Sequence, residues 1–250
     1  MTSDPIIEVQ QLIAQYGEHR VLEDVSFTVQ PGEIFVILGG SGCGKSTLMR
    51  HIIGLDRLHG GRVVIAGTDI GDESARWRIY QRIGVLFQGG ALIGSMTVAQ
   101  NVALPITAHA DLSPGAVDRI VAAKLKLVDL ECYGDHLPSE ISGGMKKRAG
   151  LARALALNPE IVFLDEPSAG LDPVTSAEID ELLLTINRTA GTTLVIVTHE
   201  LASIFAVAQR VIMLDKSTRN IIAEGDPRRL RDDSDDARVR AFFRRTAEAA

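Results

Sequence analysis

Short apolar or β-branched runs punctuate the chain: Ile34-Phe-Val-Ile-Leu38, Ile161-Val-Phe-Leu164, Thr193-Leu-Val-Ile-Val197 and Val211-Ile-Met-Leu214. Runs this short, without polar alternation, predict strands buried on both faces, as in a mostly parallel sheet. Between them the apolar period changes. Ile179, Leu182, Leu183 and Ile186 recur at helical spacing, as do Val117, Ile120, Val121 and Leu125, so each set marks a helix packing one face. The alternation of the two patterns makes the fold class α/β. Ile6 to Ile13, Val21 to Val29 and Arg62 to Ile65 are strand-like and separated by Gly, Pro and charged turns, which predicts an antiparallel flank beside that sheet. From about Gly89 to Pro159 the patterns are helical with no strong strand, and we read this stretch as an inserted helical subdomain. The tail runs from acidic, Asp232-Asp-Ser-Asp-Asp236, to basic and apolar, Ala237-Arg-Val-Arg-Ala-Phe-Phe-Arg-Arg245. Acid at the start and Arg at the end match a helix dipole and predict one more helix there. No internal repeat is visible.

Composition narrows the classes of function. At 250 residues and 46% apolar content the chain can bury a substantial core. A net charge of −6, with the basic residues spread along the chain, gives no footprint for nucleic acid. Cys43 and Cys132 are too few for a disulfide framework and are not spaced as a metal site, which suits a reducing compartment. The apolar runs fall far short of the roughly 20 residues that cross a bilayer, and the first residues carry no basic-then-apolar leader pattern. Membrane work is therefore expected to go through partners.

Candidate chemistry begins at Gly39-Gly40-Ser41-Gly42-Cys43-Gly44-Lys45-Ser46-Thr47, which follows a predicted buried strand and opens a helix. Glycines let successive backbone N–H groups turn inward onto phosphate oxygens, and the helix N-terminus adds a favourable partial charge. In this pattern Lys45 reaches the β- and γ-phosphates and Ser46 ligates Mg²⁺. A second buried strand, Ile161 to Leu164, ends in two adjacent carboxylates, Asp165 and Glu166. Paired acids at a strand end are costly unless they have chemistry to perform. Asp165 suits the Mg²⁺ shell, and Glu166 suits a general base for an attacking water. Ser142-Gly143-Gly144 precedes a helix-forming run, where Ser serves either as an N-cap or as part of an anion site at the helix end.

Together these elements resemble the ATP-binding-cassette family, and the resemblance covers nearly the whole chain. It implies a P-loop NTPase (RecA-like) core, discontinuous over 1–88 and 161–228, with a helical signature subdomain over 89–160 and a charged tail over 229–250. It implies ATP and Mg²⁺ as ligands and a second copy of the chain as partner, since the Ser-Gly-Gly signature in that family contacts the γ-phosphate held by the opposite subunit. By the same resemblance Tyr16 matches the aromatic that stacks on adenine. Gln88 matches the residue that joins core to helical lobe and senses Mg²⁺ and water. Ser168-Ala-Gly-Leu-Asp172 matches the loop through which subunits read each other, and His199 matches the switch histidine at the γ-phosphate.

A finer resemblance lies in Phe87-Gln-Gly-Gly-Ala-Leu-Ile-Gly-Ser-Met-Thr-Val98, Asn101-Val-Ala-Leu-Pro105 and Met145-Lys-Lys-Arg-Ala-Gly-Leu-Ala-Arg153. These are similar to lipid-transport ATPases of the Mla type, in which Met replaces the common Gln after Ser-Gly-Gly and the tail holds an Arg-Val-Arg segment like Arg238-Val-Arg240. That resemblance implies an ATPase on the cytoplasmic face of the inner membrane, peripheral, working with an MlaE-like permease and an MCE-domain protein on phospholipid. In some relatives a longer tail also holds the dimer and a small STAS-domain partner. Two other readings stand beside it: the ATPase of a small-solute importer, and a cassette ATPase outside transport. The second finds no cluster motif, long coiled-coil insertion or basic face in the sequence.

Overall fold

The computed structural model describes residues 4–244. Strands β1 (Ile7–Tyr16) and β2 (His19–Val29) form a hairpin, followed by β3 (Ile34–Gly39), helix α1 (Lys45–Ile52), β4 (Gly60–Ile65) and the short β5 (Thr68–Asp69). Next come α2 (Arg76–Arg82), β6 (Ile83–Leu86), and three helices, α3 (Val98–His109), α4 (Pro114–Leu127) and α5 (Gly143–Ala154). The chain continues through β7 (Ile161–Asp165), α6 (Pro173–Ala190), β8 (Thr193–Val197), α7 (Leu201–Val207), β9 (Arg210–Asp215) and β10 (Asn220–Gly225). Helices α8 (Pro227–Asp233) and α9 (Ala237–Arg244) complete it.

Two sheets result. The larger has the order β10-β9-β3-β8-β7-β6 and is parallel except for the antiparallel β10 at its edge. The smaller, β2-β1-β4-β5, is antiparallel. This is the α/β fold expected from the apolar runs, with the expected antiparallel flank and helical insertion. Every residue of β3, β7 and β8 is buried, which is why those strands read as continuous apolar runs. Alternation within them divides the core. Phe35, Ile37, Phe163 and Val195 face a cluster shared with the flank and α1, while Val36, Leu38, Leu164 and Ile196 face α6, α7 and α9.

A third cluster, including Val98, Val102, Val121, Leu125, Ala149 and Ala152, holds α3, α4 and α5 together. Helix α3 starts at a capping box between Thr97 and Gln100, and the fully buried Asn101 ties down the loop before it. The Asn101 amide accepts from Ile93 N–H and donates to the carbonyls of Ile93, Met96 and Thr97. The helices meet the sheet where α5 itself carries no side chain. A Cβ on Gly150 of α5 would lie 2.7 Å from Leu86 Cδ1 and 3.0 Å from Gly90 O, so only glycine permits that approach. Arg153 locks the contact by donating to the carbonyls of Gly90 and Ala91.

At the tail the expected helix is present as α9, with Asp236 accepting from the backbone N–H of Arg238; Arg245 lies outside the described residues. Instead of leading into it as one acidic approach, Asp232 and Asp233 end a separate helix, α8, capped by Asp226. Among the described residues no helix is long and apolar enough to cross a membrane.

Candidate functional site

In the parallel sheet, Ile37 of β3 stands beside Val197 of β8, and Asp165 of β7 stands on the other side of Val197. Gly39, Asp165 and Thr198 therefore leave the sheet together along one edge, at the carboxyl ends of adjacent strands. That is where open α/β sheets bind ligands. The loop Gly40–Gly44 rises from β3 and turns into α1 through Gly44, whose φ of 100° is open to glycine and strained for other residues. Gly39 is fixed by close packing as well: at φ 147°, an added Cβ would meet Leu214 O at 2.4 Å.

The loop forms one wall of a cavity of about 650 Å³. Gly39, Gly40, Ser41, Gly42, Gly44, Lys45, Ser46 and Thr47 line it, together with Gln88, Glu166 and His199. Lys45 folds over the loop, its ammonium donating to Gly39 O at 2.9 Å and Gly40 O at 3.0 Å. Ser46 Oγ donates to Asp165 Oδ1 at 3.1 Å. Burial pushes the Asp165 carboxyl up from the usual range, opposed by the Ser46 hydroxyl and aided by the neighbouring Glu166 charge.

Glu166 sits where the chain leaves β7, at a φ of 50° that is uncommon outside glycine. Its N–H donates to Val197 O at 2.8 Å. His199 Nδ1 lies 2.7 Å from Glu166 Oε1, and Thr198 Oγ1 donates to Glu166 Oε2 at 3.3 Å. Glu166, at 8% exposure, is thus held through its carboxylate by two partners and through its main chain by a third, while it lines the cavity.

The donors here fit a Mg²⁺–nucleotide. One hydroxyl and one carboxylate at contact distance suit a small cation that keeps waters and completes its shell with phosphate oxygens. Among the described residues no group of three or more His, Cys, Asp or Glu side chains forms a dedicated metal cage. The glycine loop and the start of α1 present backbone N–H groups suited to the phosphates.

Other residues singled out in the sequence lie off the cavity wall. Cys43 is buried in the core against the flank. Tyr16, 49% exposed, donates its hydroxyl to Asp56 Oδ2 at 2.7 Å rather than lining the cavity. Asp56 is gripped by Arg50 through two hydrogen bonds, and that guanidinium holds its carboxyl down at about 2. Ser142 caps α5 by accepting from Met145 N–H, with Gly143 and Gly144 in the first turn. Asp172 caps α6, accepting from the N–H groups of Val174 and Thr175. Within one chain the structure gathers the phosphate loop, Gln88, Glu166 and His199, and leaves the signature and Asp172 elsewhere on the surface.

Two residues that sequence reasoning passed over also line the cavity: Leu201, and Phe242 from α9. Val239 and Phe243 of that helix are buried against the central sheet, and Arg238 pairs with Asp215 at the end of β9, which brings Phe242 to the cavity wall. Nothing local in the sequence indicates a partner 200 residues away from the phosphate loop.

Comparison with known proteins agrees with this geometry. The family described as ABC transporter matches residues 22–169. The Mycobacterium tuberculosis protein named "Probable ribonucleotide transport ATP-binding protein mkl" is 43% identical over 239 residues, covering 95% of this chain and 66% of its own length. The "Methionine import ATP-binding protein MetN" of Brucella abortus is 41% identical over 228 residues, covering 90% of this chain and 61% of its own. This chain thus spans a little under two thirds of either relative. Among solved structures, the dimeric post-hydrolysis state of the ATP-binding cassette MJ0796 with ADP and Pi superposes with a TM-score of 0.80 at 31% identity, over 88% of this chain and 98% of that one. A phosphate loop, paired carboxylates and a histidine on one sheet edge, in a chain matched by that family over more than half its length, place this protein in the ABC transporter family as an ATPase cassette.

Proposed function

We propose that the chain hydrolyses ATP as one of two cassettes closed head-to-tail, and that it powers phospholipid transport through an MlaE-like permease. The observation that carries the hydrolytic reading is the Glu166 carboxylate, fixed by His199 and Thr198 and facing the cavity beside the phosphate loop. Glu166 is placed to take a proton from water, a general-base role. The loop N–H groups and Lys45 meet the charge on the β- and γ-phosphoryl groups, and Gln88 and His199 close the cavity around them. Ser46 and Asp165 would hold Mg²⁺, which when bound neutralises phosphate charge. Ser142, Gly143 and Gly144 lie off this chain's own cavity, on a capped helix end free to meet the nucleotide of a second copy. Asp172, at the head of α6, belongs to the same contact. Tyr16 stacks on adenine once its hydroxyl leaves Asp56.

The lipid reading rests on the Mla-type segments from Phe87 to Val98, Asn101 to Pro105 and Met145 to Arg153, and it places the chain peripherally on the cytoplasmic face of the inner membrane. An MCE-domain protein, and in some assemblies a STAS-domain subunit, completes it. The identity with MetN supports a second reading, the ATPase of a small-solute importer. Affinity capture of the tagged chain from detergent-solubilised native membranes, with protein and lipid mass spectrometry, separates the two. An MlaE-like permease with an MCE protein and bound phospholipid is expected. A permease pair with a solute-binding protein would replace the lipid reading by the importer reading.

A further inference from the structure

Helix α5 carries a lysine that does not behave as a surface charge. Lys147 is buried at 7% exposure, although the residues on either side of it are more exposed. Its ammonium crosses to the loop after β7, where it donates to Glu166 O at 3.2 Å and to Ala169 O. Burying an ammonium is costly unless its hydrogen bonds are made, and an apolar side chain would fill the space with less desolvation. Burial pulls the Lys147 ammonium below the usual lysine range, and the Glu166 charge works against that pull.

The accepting carbonyl belongs to one of several non-glycine residues in the left-handed backbone region. Glu166 holds a φ of 50°, a conformation that persists in non-glycine residues only where the surroundings over-determine it. Its N–H is fixed by Val197 O on β8 and its carboxylate by His199 and Thr198. Its carbonyl also accepts from Ala169 N–H at 3.3 Å, so Lys147 reaches the two ends of that one turn.

We propose that Lys147 is a positioning residue for hydrolysis, holding the main chain of Glu166 and of the turn up to Ala169 so that the carboxylate keeps its aim at the cavity. This rests on the reading of Glu166 as the general base. A displaced base costs turnover rather than binding, because the phosphate loop that holds the nucleotide is untouched.

The test uses the full chain in steady-state ATP hydrolysis, with ATP binding and thermal melting measured alongside. K147M is expected to lower kcat roughly 10- to 100-fold while KM moves less than about threefold, and K147Q, which keeps a donor, to recover part of the loss. In the E166Q background K147M should change the residual rate less than about twofold, since the aim of the carboxylate no longer counts. Parent kcat in K147M, or the same fold-loss with and without E166Q, overturns the proposal. If K147M does not fold, K147Q decides: an intermediate kcat at parent KM supports it, and parent kcat overturns it. Should E166Q leave turnover unchanged, the general-base reading itself fails, and that result is separate from any effect at Lys147.

Discussion

His199 and Glu166 share a hydrogen bond of 2.7 Å between Nδ1 and Oε1, joining the ends of two adjacent strands. The imidazole thereby fixes the carboxylate rotamer and turns its remaining nitrogen away from Glu166. Glu166→Gln is expected to lower kcat by about 10²- to 10⁴-fold with ATP affinity preserved, read by phosphate release and by nucleotide titration. His199→Ala removes the support and leaves the proposed base, so its kcat should fall less than that of Glu166→Gln.

Ser46 Oγ and Asp165 Oδ1 meet at 3.1 Å beneath the phosphate loop. On the proposed Mg²⁺ role of these two groups, removing either should uncouple nucleotide binding from the cation. Ser46→Ala is expected to bind ATP about equally with Mg²⁺ and with a chelator, whereas the parent should bind about tenfold more tightly with Mg²⁺. Equal Mg²⁺ dependence in both proteins would count against the assignment.

Asp56, beside Tyr16, has a carboxyl held at about 2 against an ordinary 3.8, chiefly by its hydrogen bonds from Arg50. A carboxyl depressed in the folded state stabilises the fold above its unfolded pKa, and that contribution is lost as pH falls through the folded value. Asp56→Asn should therefore be less stable than the parent at pH 7, and the difference should shrink between about pH 4 and pH 2. Denaturant unfolding of both proteins across that window measures it.

Phe243 of α9 is buried at 4% exposure and packs against Phe205 at a centroid distance of 5.7 Å. Phe243→Ala is expected to cost about 3–5 kcal/mol of stability, as for truncations of a buried ring. Chemical denaturation reads the loss. A cost below about 1 kcal/mol would mean that α9 docks only loosely.

The strands that matter most for the site were the most legible, because β3, β7 and β8 are buried on both faces and leave uninterrupted apolar runs. Strand β6 escaped the sequence reading. It is four residues long and contains Gly84, whose missing side chain makes room for Ala154 O of α5. Strand β10 escaped for another reason: it is an edge strand, only partly buried, with no clean alternation. Loop, carboxylates and histidine could be read locally from glycine spacing and strand ends. Lys147 and Phe242 could not. Each resembles its neighbours in sequence, one in a basic helical run and the other in an aromatic pair, and only tertiary packing directs one to Glu166 O and the other to the cavity.

Strands β6 and β7 lie side by side in the sheet, yet α3, α4 and α5 are threaded between them in sequence. The whole helical segment therefore leaves and re-enters the sheet through neighbouring doorways. Its length and surface can drift without disturbing strand register, provided the glycine contact at Gly90 and Gly150 is kept. For protein engineering this makes it an exchangeable head. A segment of another cassette grafted between Leu86 and Ile161 would have to return Gln88 to the cavity wall and Lys147 to Glu166 O, because both reach the site from within the segment.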